Sequence, residues 1–307
     1  MKIALDKVEG KHLLALSGGP DSIALFFLLL ENKLPFEVAH VNHNWRKESR
    51  LEAEKLKILC EEKGVVFHYA ELPTPTSKRN LEDKGRKSRF AFFKGLVERR
   101  GLRAVLMGHH GDDVAETVLK RLFEGAGLTK LQGISELSVI EGITVYRPLI
   151  NLRKKEILAW LEKRQITYFW DATNEEEDFL RGRMRNKIMP YLSQVFGKEV
   201  TPSLLCLAKR ATELEAFLDG CIAPYRKTEE LDLQTPPSSP FLAKAVIADF
   251  FERRQITVSK AAVETIYQHI VNKSCHKKIC VGRGVVVIHK GRLTHNKRID
   301  EESVVNV

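Results

Sequence analysis

Ser17-Gly18-Gly19-Pro20-Asp21-Ser22 stands between two apolar runs, residues 13–16 ahead of it and residues 23–30 behind it. This arrangement predicts a strand, a tight turn and a buried helix, and it constrains the fold more than any other stretch. The paired glycines let the backbone turn sharply and approach a ligand, because neither carries a Cβ. Backbone N–H groups at the start of the following helix favour a phosphate, and Ser17 and Ser22 add hydroxyls. Asp21 is out of place at an anion site unless a divalent cation lies between it and the phosphates, so it is the expected Mg²⁺ ligand.

The rest of the first half alternates. Strands are expected at 36–41, 65–72, 103–107 and 143–146, with helices near 48–63 and 112–123 among them. That order predicts a parallel sheet covered by helices on both faces, with ligands at the carboxyl ends of its strands. From 153 the pattern turns helical, over 154–165, 177–194 and 201–221. Residues 234–240, with three prolines and two serines, read as a linker. Two further helices, 241–254 and 259–273, and three short strands, 278–281, 285–289 and 292–295, complete the chain. The expected fold is α/β: a doubly wound parallel-sheet nucleotide-binding domain over 1–199, a helical linker over 200–222, and a small α+β C-terminal domain over 223–307.

Charge bears on the partner. The 307 residues carry 50 Lys and Arg against 40 Asp and Glu, a formal +10. Residues 78–103 hold ten basic and three acidic side chains, and 273–299 hold eight basic and none acidic. Two such runs beside a nucleotide site point to a nucleic-acid phosphate backbone. The five cysteines form no CxxC, which argues against a disulfide framework or a zinc ribbon. The longest apolar run, 23–30, is too short to span a membrane, and residues 1–11 show no signal-peptide pattern. A cytoplasmic protein without a membrane partner is expected.

Two further segments carry chemistry. His40-Val41-Asn42-His43 falls where a strand ends, and its alternation sends His40 and His43 to opposite faces. Gly108-His109-His110-Gly111-Asp112-Asp113 offers imidazoles and carboxylates for metal binding, general base catalysis or hydrogen bonding. Read alone, it is also a polar turn capping a helix.

No Walker A motif occurs, and the turn at 17–22 resembles the SGGxDS pyrophosphate loop of the N-type ATP pyrophosphatases. The blocks 40–46, 85–90, 108–117, Arg147-Pro148-Leu149 with Arg153, Asp171-Ala172-Thr173-Asn174 and 179–186 stand in the order and spacing of one family within that group. In these blocks the chain is similar to the tRNA(Ile)-lysidine synthetases over roughly 13–190, with Gly182 where that family usually has Asn.

The resemblance implies ATP and Mg²⁺ as cofactors, with a minor isoleucine tRNA and free lysine as partners. A second copy of the chain is the expected assembly. The implied reaction is attack of the wobble cytidine C2 oxygen on the α-phosphate of ATP. Displacement of AMP by lysine then gives lysidine. Ser17, Gly18, Gly19, Pro20, Asp21, Ser22, His40, Asn42, His43, Gly108 and His109 are the implied ATP contacts. Arg86, Arg89, Asp112, Asp113, Glu116, Asp171, Asn174, Arg181, Arg183 and Arg185 are those for lysine or tRNA. Asp21, Asp112, Asp113, Arg183 and Arg185 are the implied catalytic set. Asp112 and Asp113 would contact the lysine ammonium or a metal, while Arg183 and Arg185 would stabilise phosphate charge or grip the anticodon loop. The alternatives are a thiolating tRNA-modifying enzyme with the same loop, a metal-dependent phosphoesterase built on His109, His110, Asp112 and Asp113, and a tRNA-binding protein with an inactive ATP site.

Overall fold

The computed structural model describes residues 9–42, 49–72, 81–169, 180–226, 230–281 and 284–297. The chain divides into two compact units, 1–211 and 212–307.

In the first unit a six-stranded sheet runs β3-β2-β1-β4-β6-β5. Its strands are β1 (His12–Ala15), β2 (Phe36–Asn42), β3 (Phe67–Glu71), β4 (Val105–Leu106), β5 (Leu137–Ile140) and β6 (Ile143–Tyr146). The chain steps outward from β1 to β3, then returns to lay β4 on the other side of β1, so the order reverses between β1 and β4. That reversal opens a crevice at the strand carboxyl ends. All pairings are parallel except β5 with β6. This antiparallel edge departs from the purely parallel expectation, and it follows from a turn of only two residues: Glu141 and Gly142, both at positive φ, reverse the chain between the strands.

Helices cover both faces, as the alternation requires. Leu14, Val38 and Leu106 face α1 (Pro20–Glu31), α2 (Ser49–Glu62) and α5 (Lys154–Lys163). Their neighbours Leu13, Ala39 and Val105 face the other way, against Phe90, Phe93 and Leu96 of α3 (Leu81–Arg100). The α1 helix is buried along most of its length, from Ile23 through Leu29, because it is apolar on almost every side. At the base of β2, Glu37 is buried and accepts hydrogen bonds from Lys11 at 2.7 Å, from His68 at 2.6 Å and from Arg100 at 2.9 and 3.1 Å.

The remaining helices of this unit hold parts of the blocks at 108–117 and 179–186. Helix α4 (Gly111–Phe123) follows β4, and α6 (Leu180–Arg183) leads through a wide π-helical turn, Met184–Ile188, into α7 (Met189–Val195). Pro190 explains that turn. It lacks an N–H and crowds the preceding turn, so Met189 N–H reaches back five residues to Met184 O. Helix α8 (Thr201–Ile222) opens with Pro202 near its start and runs across the boundary between the units.

The second unit holds an antiparallel sheet of order β7-β10-β9-β8, made of β7 (Leu231–Asp232), β8 (Lys277–Val281), β9 (Gly284–His289) and β10 (Arg292–Lys297). Alternate residues Val286 and Ile288 meet Phe250 of α9 (Pro240–Glu252) and Ile266 of α10 (Lys260–Val271) in its core. The proline-rich stretch expected as a linker is a loop inside this unit. Just before it, β7 pairs with β10 and Leu233 N–H donates to Gly291 O at 2.8 Å.

Candidate active site

The turn between β1 and α1 is shaped by its own residues. Gly18 takes φ +89°, and a Cβ there would stand 2.5 Å from Phe169 Cδ2. The Phe169 N–H also donates to Gly18 O at 2.9 Å. Ser22 folds back under the turn: its Oγ accepts from the N–H groups of Ser17 and Gly18 at 3.2 and 3.1 Å and donates to Gly19 O at 3.0 Å. Its hydroxyl proton is therefore committed to the loop. Gly19 N-caps α1, with Pro20 at the first helical position and Asp21 in the first turn. Gly108, just past β4, passes so close that a Cβ would lie 3.0 Å from the Asp21 carbonyl carbon.

His110 N-caps α4, and its backbone N–H donates to Asp113 Oδ2 at 2.9 Å. Its ring is 2% exposed and faces three carboxylates. Nε2 lies 3.6 Å from Asp21 Oδ1 and 3.5 Å from Asp113 Oδ2, and Nδ1 lies 3.5 Å from Asp112 Oδ2. Burial opposes a proton on this imidazole, but the three carboxylates more than offset it, and its pKa is raised.

Each carboxylate has a cation of its own. Arg153 donates to both Asp112 oxygens, at 2.8 to 3.2 Å, and also reaches Glu199. The Lys154 N–H donates to Asp112 Oδ2 at 2.7 Å. Burial works against ionised Asp112, but His110, Arg153 and this N–H together hold its pKa well below the usual carboxylate range. The Lys154 ammonium lies 2.7 Å from each oxygen of Asp21. Arg185 bridges Glu116 and Asp113. Among the described residues, no three His, Cys, Asp or Glu side chains are placed to share one metal ion.

His109 shares Asp113 with His110 but its pKa moves the other way. Burial, and then the charges of Arg147 and Arg181, pull its pKa down to about 4, with Asp113 acting against them. Arg147 is itself buried, donating to Ser135 O at 2.7 Å and Ser138 Oγ at 2.9 Å, and burial together with Arg86 lowers its pKa. Two successive imidazoles thus differ in what decides their charge: carboxylates for His110, and burial with two guanidiniums for His109.

The structure brings together Asp21, Asp112, Asp113, Glu116 and Arg185 of the expected set, with Gly108 against the loop and His109 beside it. His40 is buried in β2, its Nδ1 2.8 Å from Leu16 O and its ring stacked near Phe67 and Tyr69. Asn42 is buried and donates to Tyr69 Oη at 3.1 Å. Arg86 lies over the Phe90 ring, Arg89 is half-buried on α3, and Arg181 and Arg183 are exposed on α6. His43, Asp171 and Asn174 lie outside the described residues.

Lys154 and Glu199 were missed as site residues, and Arg147 and Arg153 were read only as parts of a block. A signal was present: Arg153-Lys154-Lys155 sets three cations at a helix start, where the dipole disfavours them unless carboxylates elsewhere hold them.

The PP-loop domain family matches residues 1–192. A tRNA(Ile)-lysidine synthase of Chlamydia muridarum (strain MoPn / Nigg) is 38% identical over 299 residues, which are 94% of this chain and 92% of that protein. One of Chlamydia pneumoniae is 37% identical over 296 residues, 92% of this chain and 93% of its own. Among solved structures, the U34-tRNA thiolase NcsA from Methanococcus maripaludis aligns with TM-score 0.52 at 21% identity. It covers 66% of this chain and 72% of its own, and that likeness shows the fold alone. The chain belongs to the tRNA(Ile)-lysidine synthase family, with a PP-loop domain as its first part.

Proposed function

We propose that this protein uses ATP to join free lysine to C2 of the wobble cytidine of a minor isoleucine tRNA, releasing AMP and pyrophosphate. The observation that carries this reading is the gathering of Asp21, Asp112 and Asp113 around His110, directly beside the glycine turn. One edge of the site suits a phosphate anion and the other an ammonium or a divalent cation.

The chain's groups divide the work on that basis. The N-terminus of α1 and the turn at 17–22 receive the leaving pyrophosphate. Gly19 has room for it, since among the described residues the nearest atom to a Cβ there, its chain neighbours aside, would be Ser17 Oγ, at 3.7 Å. Mg²⁺, held by Asp21, would neutralise charge on the pyrophosphate oxygens. Burial, with Arg147 and Arg181, keeps His109 uncharged, and these arginines with Arg86 beside Arg147 give that side a positive potential suited to RNA phosphate. On the other side, Asp113 and Glu116, held in place by Arg185, offer carboxylate oxygens to the lysine α- or ε-ammonium. Most of the rate enhancement then comes from positioning and charge neutralisation. A cytoplasmic location and a second copy as partner go with this reading.

The test is to incubate the protein with ATP, Mg²⁺, lysine and transcribed isoleucine tRNA, then digest the tRNA and weigh its nucleosides. Conversion of cytidine to lysidine is the expected result. ADP as the main nucleotide product, or unmodified cytidine, would overturn the proposal.

A further inference from the structure

Lys154 stands in a position that the reaction above leaves unused. It is the first residue of α5, and its backbone N–H is pinned to Asp112 Oδ2 at 2.7 Å. Its side chain is 28% exposed and crosses to the glycine turn, where the ammonium sits 2.7 Å from both Asp21 oxygens. The backbone is therefore fixed while a four-carbon stem leaves the charge free to move.

Two electrostatic facts make this pair unsettled. A cation at a helix N-terminus works against the dipole, which favours an anion there. Asp21 is also the carboxylate best placed to take a divalent cation beside the turn. A dication and an ammonium cannot both keep close contact with one carboxylate without repelling each other. When the dication arrives, the ammonium needs another acceptor; Asp112 and Asp113 already hold Arg153 and Arg185, which leaves the phosphates brought with that dication.

We propose that Lys154 is a pyrophosphate-binding residue. Its ammonium gives up Asp21 to the incoming divalent cation and passes to a non-bridging oxygen of the pyrophosphate group. The exchange keeps Asp21 neutralised throughout and adds one positive charge to the leaving group's surroundings. This inference deepens the reading under "Proposed function" and rests on it for the identity of the anion.

The test is calorimetric titration of the full chain with inorganic pyrophosphate and Mg²⁺, without tRNA or lysine. Loss of one charge-assisted hydrogen bond should weaken binding by about tenfold or more in Lys154→Met. Lys154→Arg, which keeps the charge, should stay within about threefold of the parent, and AMP should bind all three proteins equally. Pyrophosphate binding that is unchanged or tighter in Lys154→Met would overturn the proposal, because it would make Lys154 only a competitor for Asp21. Asp21→Asn provides a second arm that does not depend on the first variant folding. With its ammonium released, this variant should bind metal-free pyrophosphate more tightly than the parent, and equal or weaker binding would overturn the proposal. Neither readout needs lysidine to form, so failure here and failure of the nucleoside assay are separate results.

Discussion

The Arg185 guanidinium holds Glu116 through hydrogen bonds of 2.7 and 3.1 Å and Asp113 through a third of 3.0 Å. Its charge is thereby directed to the carboxylate wall although the side chain is 41% exposed, and Arg183, two residues earlier, is exposed as well. The two arginines should therefore fail differently. Arg185→Ala should lower turnover by about 10²-fold, the scale of losing one positioned polar group, and leave the salt dependence of tRNA binding unchanged. Arg183→Ala should reduce the slope of log K against log salt by about 0.7–0.9, one phosphate contact, with little effect on turnover at saturating tRNA. Filter binding across a salt series, run beside single-turnover kinetics, separates them. A shallower slope for Arg185→Ala would show that its contact with the carboxylates is not its working role.

Gly18→Ala tests the turn itself. At φ +89° an alanine is strained, and its Cβ would sit 2.5 Å from the Phe169 ring. The turn must then shift or the ring must leave, at a cost on the order of 1–3 kcal/mol. The expected outcome is a large loss of ATP affinity by calorimetry, with tRNA affinity nearly kept. Phe169→Ala should restore part of that loss in the double variant by removing the clash. Full ATP affinity in Gly18→Ala alone would sink this reading of the turn.

What could be read in advance was local. The glycine turn between two apolar runs and the block at 108–113 each carry their meaning within a few residues, and both fall at the strand reversal as the alternation required. The cations that complete the site could not be read the same way. Lys154 meets Asp21 across 133 residues and Arg153 meets Asp112 across 41, contacts that exist only once α5 packs on α1. Helix α3 was hidden by its charge: Phe90, Phe93 and Leu96 mark a buried face, but the basic residues around them read as a run that follows nucleic-acid phosphates. The π-turn at 184–188 is a backbone response to Pro190, and helical periodicity carries no sign of it.

The adjacent histidines should titrate in opposite directions. His109 has its pKa lowered to about 4, so the unfolded chain, with an ordinary value of 6.5, binds the extra proton first. Its stabilising effect is complete above pH 6.5 and is lost as pH falls towards 4, at most about 3 kcal/mol. His110 has a raised pKa, so its effect is present below 6.5 and is lost as pH rises through the folded value. Nitrogen-detected NMR of the two imidazoles should give midpoints on either side of 6.5. In His109→Gln the loss of stability between pH 6.5 and 4 should become smaller. Equal midpoints for the two rings would contradict the balance of burial and charge described for each.

The last prediction concerns Glu37, at the end of the sheet away from the site. Its side chain is 1% exposed and receives Lys11, His68 and Arg100, which come from the lead-in to β1, from β3 and from the end of α3. Four segments are thus tied to one carboxylate. The hydrogen bonds from Arg100, then Lys11 and His68, outweigh burial and hold its pKa down at about 2. Because the folded value lies below the ordinary 4.5, the stabilisation is present above pH 4.5 and is lost as pH falls through about 2. Glu37→Gln should cost about 3 kcal/mol near neutral pH, since three donors lose their charged acceptor and the amide presents an N–H₂ in its place. Lys11 and Arg100 are nearly half exposed and can turn to water, which keeps the cost at the low end for a buried pair. Urea melts of parent and variant should therefore differ at pH 7 and converge towards pH 2. A constant difference across that range would mean that packing, not the charge, is what Glu37 contributes.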